Sequence, residues 1–204
     1  MAWTYATLKQ ALQDWPESAE TKFVSNIPIF VQQAEQRIIR EAQLPVFRKS
    51  VTGVTTASDE YLGVPVDFLA SYSLAVENTG AEFLIFKEVN FVREAYPATT
   101  TEGVPKYYAI FDDTNFILGP TPDAAYATEL HYLYKPESIV TAGTSWLGTH
   151  AEVALFHGSL LEAQHFLKGD ADLLVLSQNK YEDAIRGLVL LAGGYNKTDS
   201  YRGG

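Results

Sequence analysis

The spacing of apolar positions changes twice along the chain. Near the N-terminus Tyr5, Leu8, Leu12 and Trp15 recur at helical intervals behind Thr4, a candidate N-cap, and Pro16 ends the run. A second helical run, IPIFVQQAEQRIIREAQLPVF at residues 27–47, puts Ile27, Phe30, Val31, Ala34 and Ile38 on one stripe. Asn26 is placed to cap this helix, Pro28 falls in its first turn, and Pro45 closes it. At 100° per residue Ile29 and Ile39 lie on the opposite side, among Gln32, Gln36 and Arg40. They are either isolated exposed residues or part of a face that meets another chain.

From about residue 46 to 140 the period shortens to two. VTGVTT, SYSLAVE, EFLIF, KYYAIF, NFILG and TELHYLY are short runs rich in β-branched and aromatic residues, divided by Gly, Pro, Asp and Asn. The turn residues DDTN between KYYAIF and NFILG predict a hairpin, and VNFVREAY is the one helical stretch in this region. Helical spacing returns in WLGTHAEVALFHGSLLEAQHFLK and in DADLLVLSQNKYEDAIRGLVLLA, the second capped by Asp170 and ended by Gly193-Gly194. The expected fold class is therefore α+β. Residues 1–45 and 141–192 form a helical bundle from N- and C-terminal helix pairs, residues 46–140 an inserted antiparallel β lobe, and residues 193–204 an extended, flexible tail.

Composition narrows the function. A 204-residue chain with 47% hydrophobic residues can bury a substantial core. The opening MAWTYATLKQ reads as neither a secretory signal nor a membrane span, and no later run is long and apolar enough for one. Cysteine is absent, which excludes disulfides, thiolate metal sites and a cysteine nucleophile and fits synthesis in a reducing cytoplasm. The formal charge of −10, with no basic cluster, argues against gripping a phosphate backbone.

Chemistry finds little support. The nucleophile, phosphate-loop and H-E-x-x-H patterns are all missing. Glu162 and His165 share a helix face in the manner of half a di-iron site, and His150 and His157 lie seven apart, but the motif occurs once and helix-boundary or core histidines explain it better. Asp112-Asp113 sits at a turn, where Asp is expected for backbone reasons. The β lobe holds 15 of the 26 aromatic residues and none of the tryptophans, so cross-strand packing is favoured over a sugar-binding platform. No catalytic residue, metal or cofactor is expected.

Several segments taken in order carry a resemblance. AEQRIIREAQLPVFR, VPVDFLASYSL, GVPKYYAIFDDTNFILGPTPDAAYATELHYLYKPESI and TSWLGTHAEVALFHGSLLEAQHFLK...KYEDAIRGL together resemble the adaptor, or head-to-tail connector, proteins of tailed bacteriophages, over residues 4–191. The P-x-D-F-L, G-x-P-x-Y-Y, L-x-P-x-P and W-L motifs stand out in that succession. The resemblance implies a non-enzymatic virion protein at the neck, assembled as a homo-oligomeric ring, typically a dodecamer. That ring would sit beneath the portal protein and serve as a platform for a tail nozzle or other tail proteins. DNA would pass through its channel without specific binding. It also implies that the C-terminal segment reaches into the portal; within that segment the residue types themselves, and not a family motif, single out Tyr195 and Tyr201 as anchors and Lys197 and Arg202 to meet acidic surface. In such a ring Ile29 and Ile39 become candidates for the lateral subunit interface. Two other readings remain: another ring component of the neck or tail, and a carbohydrate-binding or hydrolytic accessory for cell walls.

Overall fold

A computed structural model describes residues 2–195, with side chains to Ala192. The chain divides into two compact units, Met1–Val46 with Glu137–Gly204, and Phe47–Pro136.

The first unit is helical. Thr4 caps α1 (Tyr5–Asp14) through a reciprocal capping box with Thr7. The second helix, α2, runs Thr21–Ala42 and so begins well before Asn26. Pro28 is therefore inside the helix and Asn26 does not cap it; its side-chain amide donates instead to the Lys22 carbonyl at 2.7 Å. An internal proline costs about 3 kcal/mol. The early turns offset this by seating Phe23, fully buried, against the rings of Phe30 and Phe166 at 6.0 and 6.4 Å. Gln43, in the left-handed conformation, closes the helix just before Pro45.

After the short α4 (Ile139–Ala142), the single long helix expected from residue 146 is two, α5 (Trp146–His150) and α6 (Glu152–Leu167), broken at Ala151. The last helix, α7 (Ala171–Tyr195), starts beyond Asp170, whose carboxylate accepts from the Asp172 N–H at 2.8 Å. It continues through Gly193-Gly194, which therefore do not end it. Central to the unit is α6, which packs against α1, α2, α5 and α7. At Gly158 a Cβ would meet the Tyr181 ring at 3.1 Å and the Ala34 methyl at 3.2 Å, so glycine sets how closely α2 and α7 approach α6.

The second unit is a pair of four-stranded sheets. Strands β1 (Arg48–Val54), β8 (Ala127–Tyr134), β3 (Phe68–Glu77) and β4 (Ala81–Phe83) form one, in that order and antiparallel throughout. The other has the order β2 (Tyr61–Gly63), β7 (Asn115–Gly119), β6 (Tyr107–Ile110), β5 (Ile85–Phe86). The expected hairpin is β6–β7, but β5 and β6 pair in parallel, so the lobe is not wholly antiparallel. The connection from β5 to β6 carries α3 (Val89–Ala95), and a crossover of that length returns a strand in the same direction. Leu74, Val76, Leu130 and Tyr132 from one sheet share a core with Tyr108, Phe116 and Leu118 from the other. Alternation along β8 puts Thr128, Leu130 and Tyr132 inside and leaves Glu129 and His131 in water.

Candidate functional site

The residues proposed for chemistry are scattered. Asp112 Oδ1 accepts from the backbone N–H groups of Thr114 and Asn115, both at 2.7 Å, and from the Thr114 hydroxyl. Those bonds, led by Thr114, hold its carboxyl below the usual range, so it is the acceptor that closes the β6–β7 turn. On α6, Glu162 faces Arg37 of α2 at 3.7 Å and His165 is exposed, while on α5 His150 lies against the Trp146 ring. The His157 imidazole is pushed towards its neutral form by burial and then by Lys180, and its Nδ1 has no partner among the described residues. No group of three or more His, Asp or Glu among those residues is arranged to hold a metal.

Most of the exposed rings of the β unit are engaged within it, Phe83 apart. Arg48 lies over Tyr72, Lys87 over Phe91 and Arg93 over Phe111, each cation 4.3 to 5.2 Å from the ring centre. Phe86 and Phe91 pack edge-on against Tyr108 and Tyr107.

Two exposed surfaces of the helical unit bear on assembly. The first is the outer face of α2. Ile29 is 48% exposed there, whereas Ile39 is only 5% exposed and belongs to the core. The expectation for Ile39 fails because the buried arc of α2 is wider than one stripe. Glu35, one turn before Ile39, is buried as well and accepts from the Ile139 N–H of α4 at 2.9 Å, and α4 packs against α2. Burial pushes the Glu35 carboxyl up, against the opposing bonds from Ile139 and Ser138.

The second surface is the C-terminal end of α7. Leu188 and Ala192 are buried there, but Val189, Leu190 and Leu191 are exposed, Leu190 by 77%. An apolar groove of Leu44, Pro45, Val46, Trp146 and Leu191 lies on one side of it. An open cleft of His150, Glu152, Val153, Gly187 and Leu188 lies on the other. Tyr195 is the last residue of α7; Lys197, Tyr201 and Arg202 lie outside the described residues. Periodicity does not single out residues 189–191, because in a 25-residue helix this apolar they read as core.

An acidic helical unit that leaves apolar surface at the end of its last helix suits assembly better than catalysis. Comparison of the sequence with family models points the same way: the SU10 adaptor protein family matches residues 3–202. This chain is a member of the SU10 adaptor family. An SU10 adaptor is a structural protein of a bacteriophage, and its work is joining other phage proteins. No helix among the described residues is long and apolar enough to cross a membrane.

Proposed function

We propose that this SU10 adaptor forms a ring of twelve copies in the virion neck. The ring docks beneath the portal protein and presents a platform to the tail nozzle or other tail proteins. DNA passes through its centre without being held, because a chain of charge −10 offers few cations to displace counterions from passing phosphates. The observation that carries the docking step is the exposed Val189–Leu190–Leu191 surface, set where the chain enters residues 196–204. Exposed apolar surface of this kind is costly in a monomer and is used in contacts. Tyr195 and Tyr201 supply aromatic anchors beyond it, and Lys197 and Arg202 supply positive charge against acidic portal surface. Ile29 belongs to the lateral contacts between copies.

Deleting residues 196–204 leaves α7 intact and tests the reading. The truncated protein is expected to stay folded by circular dichroism and to lose binding to its portal in a sedimentation assay. Unchanged binding would remove the tail from the account.

A further inference from the structure

We infer that neighbouring copies join through two unlike faces of the helical unit: the outer face of α2, cationic around Ile29, receives the acidic corner between α1 and α2 of the next copy. The inference rests on the ring reading and names the surfaces that would close it.

The outer face of α2 departs in sign from the rest of this acidic chain. Between Thr21 and Arg40 the one carboxylate is Glu35, which is buried. The exposed side chains around Ile29 are neutral or cationic: Lys22, Ser25, Gln33, Gln36 and Arg40. Neither Lys22 nor Arg40 has an ion-pair partner among the described residues. The corner leading into α2 has the opposite character. Asp14, Glu17 and Glu20 are all exposed, with no basic residue between Lys9 and Lys22. Among them stands Trp15, 53% exposed, with its ring set edge-on to Phe156 at 5.6 Å. Each face thus has an exposed apolar side chain and charges of one sign, at the two ends of the face on α2 and beside Trp15 at the corner, and the two signs are complementary.

The two faces are separate patches: one runs along α2, and the other is formed by the end of α1 and the turn that leads into α2. Contact between two different patches of identical subunits is head-to-tail, the kind that closes into a ring when the rotation between copies allows it. Copies that each carry −10 repel one another at long range, so local opposite charges are what steer them into register.

Charge reversal tests this, because every substituted side chain is exposed. The variants are Lys22→Glu with Arg40→Glu, Asp14→Lys with Glu17→Lys, and all four together, each checked for an unchanged melting temperature. Ring formation on the portal is scored by electron microscopy across protein concentrations. Each pair should raise the concentration for half-assembly by roughly tenfold, and the fourfold variant should return it close to the wild-type value. If wild-type rings form but the pairs have no effect, or the fourfold variant is no better than either pair, the inference falls and the ring reading stands. If the wild-type protein forms no ring, both fall.

Discussion

Helices α6 and α7 are both rich in leucine, alanine and valine, and neither has a sharply one-sided distribution of them. Their surroundings differ. Four helices pack against α6, and Ala154, Leu155, Leu160, Leu161 and Ala163 are all buried along it, with Val153 and Phe166 exposed near its two ends. On α7 the core side holds Ser177, Tyr181, Leu188 and Ala192, while Leu173, Val175, Leu176, Val189, Leu190 and Leu191 face outward. An apolar helix whose middle is covered by its neighbours explains itself through the stability of its own unit. One covered on a single side has apolar surface left over, and in an adaptor that surface is the place to expect a partner.

Substitutions can break this contrast. The largest effect is expected from Leu160→Ala on α6, where a fully buried leucine is lost: about 3 kcal/mol of stability, read from urea denaturation. A loss well under 1 kcal/mol would mean that α6 is not the packed centre of the unit. Next comes Glu35→Leu, which removes the acceptor of the buried Ile139 N–H and should cost about 1–3 kcal/mol.

The conservative Glu35→Gln keeps an acceptor and tests the electrostatics. Because burial raises the folded-state pKa of Glu35, its contribution favours folding at low pH and is lost as pH rises from the ordinary carboxylate value of 4.5 through the raised one. The wild-type protein should therefore lose stability relative to the glutamine variant across that window. A difference independent of pH would refute the assignment. Smallest in stability is Leu190→Ser, expected within about 0.5 kcal/mol of wild type because the side chain is already in water. Its effect should appear in weakened portal binding instead, and a variant that binds normally would sever the end of α7 from docking.

Much of this architecture is legible in the amino-acid sequence, and the failures have physical causes. Thr4, Asp170 and the alternation along β8 are local signals, set by hydrogen bonds or by side-chain direction within a few residues, and each reads correctly. Pro28 and Gly193-Gly194 are local signals too, yet tertiary packing overrides the first, and the helix continues through the second. Strand β2 is three residues long and its partner β7 is far along the chain, so no periodicity announces it. Of the interface residues, Ile29 is outward as the wheel requires, while Ile39 is buried, on a helix that also packs against α4, a four-residue helix about a hundred residues away. Residues 189–191 show the opposite error, since exposure depends on what fails to pack there. The family resemblance rests on the order of motifs along the chain, which the family match over residues 3–202 supports.

The central claim is that this chain works as a ring on the portal, and electron cryomicroscopy of the protein bound to its portal tests it most directly. The account predicts a closed ring of twelve copies, with the C-terminal end of α7 and residues 196–204 against the portal and Ile29 at the contact between neighbours. Single copies scattered on the portal, or a ring in which Leu190 faces open solvent, would contradict it.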